Sequence, residues 1–145
     1  MIKQKAILIV EDESDDLELI TRALGKDNPG LSWASARNGL EALEYLEKTT
    51  TVDGDRLSAL PSLILLDLSM PKMGGIKLLH EIRIRKQTRS IPVVVFTSSK
   101  NVQDVDDSYE AGANSYISKP TDFTTFRAAL RQLSEYWLSL NITRH

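Results

Sequence analysis

The chain contains no cysteine, and none of its apolar runs approaches the length of a membrane span. Without cysteine the protein forms neither disulfide bonds nor thiolate metal sites. A transmembrane helix needs about 18 or more consecutive apolar residues. The first residues also lack the apolar segment of a signal peptide. We therefore expect a cytoplasmic protein that is not embedded in a membrane.

An excess of charge of either sign is also missing. The 18 Lys and Arg residues nearly balance the 20 Asp and Glu residues, and the formal net charge is −2. Domains that bind nucleic acid are usually basic, so we expect no nucleic-acid partner. The densest basic stretch, residues 83–89, is interpreted as the solvent-exposed face of a helix. His80 and His145 have no ligand partner at suitable spacing, so we assign them no metal or phosphohistidine role.

Low-complexity stretches and charged tails are absent, and 145 residues is the length of one ordinary domain. We expect a single domain spanning residues 1–145, with no output domain after the last predicted helix. The regular pattern is lost from about residue 48 to residue 61. This segment predicts a surface insertion before the third strand, with one helical turn near residues 56–60.

Apolar runs alternate with segments of helical period along the whole chain. Strands are predicted at residues 6–10, 31–36, 63–66, 91–96 and 115–118. Helices are predicted at about residues 15–24, 39–47, 75–86, 102–111 and 122–140. Strict alternation of strand and helix predicts a doubly wound α/β fold, in which helices cover both faces of a five-stranded parallel sheet.

The helix ends carry their own signals. Side chains that accept hydrogen bonds from free backbone N–H groups mark the predicted N-caps, namely Ser14, Asn101, and Thr121 or Asp122. Gly112 is predicted to close the fourth helix. Asp15 and Asp16 are explained by the positive end of the first helix dipole. The apolar stripes of the second, fourth and fifth helices are predicted to begin at Leu40, Val102 and Phe123.

The most informative stretch is the buried strand at residues 63–66, which runs directly into Asp67. A parallel strand that ends in aspartate delivers its carboxylate to the C-terminal edge of the sheet, where open α/β folds place their chemistry. Pro71 with Gly74 and Gly75 shapes the loop that follows. From this stretch alone, Asp67 is equally well explained as a turn former or helix cap.

Polar residues follow four of the five predicted strands, and parallel strands end at one edge of the sheet. They are Glu11 and Asp12 after the first strand, Asp67 after the third, Thr97 after the fourth and Lys119 after the fifth. Three carboxylates repel one another unless a cation is present or some of them are protonated. Oxygen ligands suit Mg²⁺. With a lysine and a hydroxyl to contact an anion, the set predicts a phosphoryl-transfer centre in which Asp67 is the nucleophile.

With these residues in this order, the chain closely resembles the receiver domain of two-component response regulators over nearly its whole length. The stretches 67–71 and 113–120 complete the likeness. The resemblance implies a flavodoxin-like fold with strand order 2-1-3-4-5. It also implies that Asp67 accepts a phosphoryl group from the phosphohistidine of a sensor histidine kinase. Such a protein catalyses its own Mg²⁺-dependent phosphorylation and dephosphorylation but is not a turnover enzyme.

The resemblance further implies which groups bind the metal. Asp12, Asp67 and the backbone carbonyl of Ser69 would hold Mg²⁺, with Glu11 helping directly or through water.

The resemblance assigns four other residues as well. Thr97 and Lys119 would contact the phosphoryl oxygens. Tyr116 would be the aromatic switch that turns inward when Thr97 moves, and the alternative interpretation is a half-buried strand aromatic. The peptide bond before Pro120 is expected to be cis.

The insertion, the Ser-Met-Pro turn and the long last helix look like the small regulators paired with cyanobacterial and bacterial phytochromes. That narrower resemblance implies a phytochrome histidine kinase as phosphodonor. It also implies a homodimer through the fourth helix, fifth strand and fifth helix, and an unknown downstream protein.

Three other functions remain open at this point. A haloacid-dehalogenase-type hydrolase also uses an aspartate nucleophile, but it needs a second aspartate where this chain has Ser69. A flavodoxin-like FMN carrier needs a phosphate-binding loop after the first strand, where Glu11 and Asp12 would repel phosphate. A receiver that only scaffolds would have lost the chemical residues, and here they are all present.

Overall fold

The computed structural model describes residues 5–51 and 60–143. Within them, five parallel strands form a sheet in which the strands, numbered along the chain, lie in the order 2-1-3-4-5, as the resemblance implied. The strands are β1 Ala6–Val10, β2 Ser32–Ala36, β3 Leu63–Leu66, β4 Val93–Thr97 and β5 Ser115–Ser118. The helices are α1 Ser14–Asp27, α2 Gly39–Thr51, α3 Gly75–Ile84, α4 Val102–Glu110 and α5 Phe123–Ser134. A π-helix at Glu135–Leu140 continues α5.

The central strands are apolar on both sides because both faces of the sheet are covered. Along β1, Ile7 and Ile9 pack with α1 and α5. The alternate residues Leu8 and Val10 pack with α2 and α3 on the opposite face. This arrangement explains the continuous apolar runs in the sequence, since neither side of a central strand meets water. None of the described helices is long and apolar enough to cross a membrane.

Two of the predicted caps are confirmed. Asn101 accepts a hydrogen bond from the Gln103 N–H at 2.8 Å, and Asp122 accepts one from the Thr125 N–H at 2.9 Å. The prediction for Ser14 is wrong. Ser14 is the first residue of α1, and the cap position belongs to Glu13, which makes no side-chain capping bond.

The apolar stripes were predicted wrongly at their first residues. Leu40 is 47%, Val102 74% and Phe123 59% exposed. Each is the first or second residue of its helix, so the predicted stripe begins before the helix meets the core. Later residues of the α2 and α5 stripes are buried, as predicted: Leu43, Leu46, Phe126, Leu130 and Leu133. The stripe predicted for α4 is wrong to its end, because Tyr109 is 48% exposed, and Leu140 at the end of the last stripe is 73% exposed.

The predicted insertion is only partly described. Helix α2 continues to Thr51, so the helical pattern does not end near residue 48. The helical turn predicted near residues 56–60 lies almost wholly outside the described residues.

The basic stretch at residues 83–89 is not one helical face, because α3 ends at Ile84. Arg83 is partly buried rather than solvated. Its guanidinium donates hydrogen bonds to four oxygens: the carbonyls of Gly112 at 2.9 Å, Arg89 at 3.2 Å and Ile91 at 2.8 Å, and Asn114 Oδ1 at 2.8 Å. Gly112 has φ +108°, in the left-handed region expected for the residue that closes a helix. Arg83 therefore joins the end of α3 to the start of β4 and the α4–β5 turn.

The structure also differs from the prediction at Pro120. No peptide bond of the described residues is cis, so the Lys119–Pro120 bond is trans. The trans form is the lower-energy state of such a bond, by roughly 0.5–1 kcal/mol.

Candidate functional site

Three carboxylates meet at the C-terminal edge of the sheet. One oxygen from each of Glu11, Asp12 and Asp67 lies within 4.8 Å of the others. The register pairs Val10 of β1 with Leu66 of β3, so the residues that follow these strands are level with one another. Glu11 and Asp67 are buried, with 2% and 6% exposure, whereas Asp12 is exposed.

This donor set fits a hard divalent cation. Carboxylate oxygens are the ligands that Mg²⁺ prefers, and Mg²⁺ usually keeps several of its waters. The exposure of Asp12 leaves one side of the cluster open to such waters. Ser69 is exposed as well, and its N–H approaches Asp67 Oδ1 at 3.4 Å, a long contact. The predicted role of the Ser69 carbonyl as a ligand stays a prediction.

Lys119 reaches the same cluster from the end of β5. Its Nζ lies 2.7 Å from Glu11 Oε1, 2.7 Å from Asp16 Oδ2 and 3.3 Å from Asp67 Oδ2. The ammonium group is buried, so these contacts are only weakly screened by water. The structure thus brings together Glu11, Asp12, Asp67 and Lys119, as expected, and adds Asp16.

Sequence reasoning missed Asp16, which it explained only by the helix dipole. Asp16 is the third residue of α1, and α1 begins three residues after β1 ends. A helix that starts this close to a strand end places its first turn at the same edge of the sheet. That proximity was the available signal, but the sequence did not show which of the two neighbouring aspartates points toward Lys119.

Burial dominates the ionisation of the site. Burial raises the pKa of Glu11 to about 7; the hydrogen bond from Lys119 opposes the shift, and the charge of Asp67 reinforces it. Burial lowers the pKa of Lys119, but hydrogen bonds to Asp16 and Glu11 outweigh it and leave that pKa raised. Lys119 therefore stays a cation at neutral pH, while Glu11 is balanced between its two forms.

Thr97 and Lys119 are neighbours at the ends of β4 and β5. Thr97 is buried, and its carbonyl accepts a hydrogen bond from the Lys119 N–H at 2.7 Å. Tyr116 is half-buried, and its hydroxyl donates to the Ser99 carbonyl at 2.9 Å. This bond ties β5 to the β4–α4 loop that follows Thr97. The inward turn of Tyr116 stays a prediction.

The loop between β3 and α3 has unusual backbone geometry. Lys72 and Met73 have φ values of 47° and 75°, in a region that residues other than glycine adopt rarely. Gly75 serves a different purpose. A Cβ there would lie 2.6 Å from the Asp67 carbonyl oxygen, so only glycine lets α3 begin this close to Asp67.

Comparison with known proteins identifies the family of this chain. The family model described as response regulator receiver domain matches residues 7–131. The probable methanogenesis regulatory protein FilR2 of Methanothrix harundinacea is 36% identical over 137 residues, covering 93% of this chain and 84% of that protein. Response regulator Rcp1 of Synechocystis sp. is 34% identical over 134 residues, covering 92% of this chain and 89% of Rcp1.

Solved structures of response regulators also match this chain. The crystal structure of the phosphorylated cyanobacterial phytochrome response regulator RcpA matches with a TM-score of 0.87 and 34% identity, over 98% of this chain and 99% of that one. The Mn²⁺-bound form of Rcp1 matches with a TM-score of 0.84 and 32% identity, over 97% of this chain and 99% of that one. The structural similarity thus extends over nearly the whole chain.

Proposed function

The chain belongs to the family of response regulator receiver domains, and from this premise we propose that Asp67 accepts a phosphoryl group from the phosphohistidine of a sensor histidine kinase. One observation carries the proposal. Asp67 lies within contact of a buried lysine and beside two further carboxylates that can hold Mg²⁺. A nucleophilic carboxylate, a metal site and a cation are what phosphoryl transfer needs.

The transfer itself is a simple exchange of bonds. A carboxylate oxygen of Asp67 forms a bond to phosphorus while the phosphorus–nitrogen bond of the phosphohistidine breaks. The electron pair leaves with the imidazole nitrogen, and the product is an acyl phosphate. Lys119 offsets negative charge on the phosphoryl oxygens, and the Thr97 hydroxyl donates a hydrogen bond to one of them. Mg²⁺ held by Asp12 and Asp67, with Glu11 nearby, would neutralise more of that charge.

The proposed role is that of a switch and not of a turnover enzyme. Phosphorylation of Asp67 is followed by hydrolysis of the acyl phosphate, which releases inorganic phosphate and returns the protein to its starting state. In a switch, the phosphorylated form carries the signal and the released phosphate does not. The observation that favours a receiver over a hydrolase is Ser69, because it occupies the place of the second aspartate that a hydrolase would use as general acid.

The proposed phosphodonor is a phytochrome histidine kinase. Support comes from Rcp1 and from the phytochrome response regulator RcpA, which match over at least nine tenths of this chain. FilR2 is similarly related and is described as a methanogenesis regulator. A panel of purified kinases that includes a phytochrome tests the proposal. The proposal predicts faster phosphoryl transfer to Asp67 from the phytochrome than from the other kinases.

The proposed output is protein–protein contact, and homodimerisation, through α4, β5 and α5. Three large apolar side chains on these helices are exposed: Val102, Tyr109 and Phe123. Exposed apolar side chains support a partner surface when they lie together in one patch. The test is the mass in solution with and without beryllofluoride plus Mg²⁺. A mass that doubles only with beryllofluoride links dimerisation to phosphorylation, whereas a constant dimer shows that association precedes the switch.

The phosphorylation site is tested by intact-protein mass spectrometry after incubation with acetyl phosphate and Mg²⁺. We expect one added phosphoryl group in the wild type. We expect no labelling when EDTA removes the Mg²⁺, and none in Asp67→Asn. Asp15→Asn is the matched control, because it removes one exposed carboxylate near the site and should still be labelled. Labelling that survives Asp67→Asn would show that another residue is the acceptor. Turnover of a phosphomonoester would instead favour a hydrolase.

A further inference from the structure

Asp16 makes a contact that none of the roles described so far uses. Its Oδ2 lies 2.7 Å from Lys119 Nζ, whereas Asp67 Oδ2 lies 3.3 Å from the same atom. Lys119 is therefore closer to Asp16 than to the residue that receives the phosphoryl group.

The position of Asp16 in α1 has an ordinary explanation that must be separated from this contact. Acidic residues in the first turn of a helix interact favourably with the helix dipole. Asp15 occupies the same turn and is exposed. The described partners of Lys119 include Asp16 but not Asp15. The two neighbouring aspartates thus share the dipole interaction and differ in their contact with Lys119.

The hydrogen-bonding capacity of Lys119 makes the contact consequential. A lysine ammonium has three N–H donors, and here its three partners are the carboxylates of Glu11, Asp16 and Asp67. Lys119 can therefore bind an oxygen of a phosphoryl group on Asp67 only by giving up or sharing a partner. The Glu11 side chain is only 2% exposed, so water could not readily replace Lys119 there. The Asp16 side chain is 30% exposed, so water can replace Lys119 there.

We propose that Asp16 is a positioning residue for Lys119, holding the ammonium group toward α1 until the phosphoryl group arrives. Lys119 then exchanges Asp16 for a phosphoryl oxygen, and the loss of the phosphoryl group restores the resting contact. This inference rests on the proposed phosphorylation of Asp67. On this inference, the first turn of α1 determines how strongly the unphosphorylated protein resists the movement of Lys119 toward the phosphoryl group.

The test measures the affinity for beryllofluoride, a mimic of the phosphoryl group, at saturating Mg²⁺. Asp16→Asn weakens the resting contact, so we expect this variant to bind beryllofluoride with a Kd about fivefold lower than that of the wild type. The change is moderate because the amide oxygen of asparagine still accepts a weaker hydrogen bond from Lys119. Asp15→Asn removes the same charge from the same turn and should change the Kd by less than about twofold. Asp16→Glu keeps a carboxylate and should restore a Kd near the wild-type value. The affinity of Asp16→Ala is measured as well, because alanine lacks the amide oxygen that in Asp16→Asn could still accept a hydrogen bond from Lys119.

A second measurement reports on Lys119 directly. In the unphosphorylated protein, the NMR signal of the Lys119 ammonium group should shift in Asp16→Asn and stay in place in Asp15→Asn. If Asp16 only stabilised the helix, its substitution would lower the unfolding midpoint. Asp16→Asn and Asp15→Asn would then not differ in their Kd for beryllofluoride or in their Lys119 signal.

The outcomes distinguish this inference from the proposed function. Absence of beryllofluoride binding in the wild type, or binding that survives Asp67→Asn, overturns the phosphorylation site itself. Binding that needs Asp67 but is equal in Asp16→Asn and Asp15→Asn overturns only the role of Asp16. Weaker binding in Asp16→Asn than in Asp15→Asn also overturns it, because the contact would then assist phosphorylation instead of competing with it.

Discussion

Lys119 Nζ lies 2.7 Å from Glu11 Oε1, although the two residues are 108 positions apart in the sequence. Both side chains are almost completely buried. The pair links the ends of β1 and β5, which are separated in the sheet by β3 and β4. Two buried charges in contact compensate each other, but each remains expensive to keep away from water. The stability of the fold should therefore depend on pH and on whether metal is bound.

The first prediction concerns stability without metal. The pKa of Glu11 rises from its ordinary value of 4.5 to about 7 in the folded protein. The folded state binds this proton more tightly than the unfolded state, so protonated Glu11 stabilises the fold. That contribution is fully present below about pH 4.5 and is lost as the pH rises through about 7. It amounts to about 3 kcal/mol at most.

Urea unfolding in EDTA between pH 4.5 and 8 measures this effect against Glu11→Gln, which cannot titrate. The wild type should lose stability relative to the variant as the pH rises across that range. A difference between the two proteins that stays constant with pH would show that Glu11 titrates normally.

The second prediction concerns Mg²⁺ affinity. In the proposed metal site Glu11 would help to hold Mg²⁺ only when it is ionised, so metal binding near pH 7 should release a proton from it. Below pH 7, the apparent Kd for Mg²⁺ should rise by up to about tenfold per pH unit. Isothermal titration calorimetry in buffers of different ionisation enthalpy measures the proton release. The same titration with Glu11→Gln should give weaker binding and little proton release between pH 6 and 8.

Much of the site was predictable because it depends on topology. The continuous apolar runs identified the buried strands, and parallel strands end at one edge. The polar residues that follow them, Glu11, Asp12, Asp67 and Lys119, therefore had to lie near one another. Their proximity follows from the order of elements and needs no knowledge of side-chain conformations.

The features that sequence reasoning missed depend on local geometry. Val102 and Phe123 continue apolar stripes, but a periodic pattern does not show where the sheet edge lies along a helix. Arg83 belongs to a basic stretch, and its burial depends on the turn that closes α4 at Gly112. Asp16 and Asp15 are chemically identical neighbours, and only the rotation of α1 about its axis decides which one meets Lys119.

The third prediction uses glycine to test the close approach of α3 to the site. In Gly75→Ala, the new Cβ would lie 2.6 Å from the Asp67 carbonyl oxygen and 2.8 Å from Leu68 Cα, both backbone atoms that cannot move aside freely. We expect a loss of about 1–3 kcal/mol in unfolding free energy and slower labelling of Asp67 by acetyl phosphate. Urea unfolding and the labelling rate measure the two effects.

Gly25→Ala is the matched control for this substitution. Gly25 lies within α1, and a Cβ there meets no atom within 4 Å. Alanine in a helix is favoured over glycine, so this variant should gain about 0.5–1 kcal/mol and keep the wild-type labelling rate. Equal behaviour of the two variants would show that the Gly75 contact does not constrain the site.

The fourth prediction concerns Arg83, whose guanidinium supports the end of the molecule opposite the carboxylate cluster. Arg83→Met keeps much of the apolar length but removes the donors to the carbonyls of Gly112, Arg89 and Ile91. Hydrogen bonds from a charged group to partly buried acceptors are costly to lose, so we expect a decrease of about 2–3 kcal/mol in unfolding free energy. Arg83→Lys keeps the charge without the planar fork and should recover only part of this loss.

Arg22→Met is the control. Arg22 pairs with Glu18 on the exposed surface of α1, and loss of such a pair costs about 0.5 kcal/mol or less. Since Arg83 is remote from Asp67, labelling by acetyl phosphate at a temperature where every variant is folded should be unchanged. Slower labelling in Arg83→Met would instead show that the α4–β5 turn communicates with the phosphorylation site.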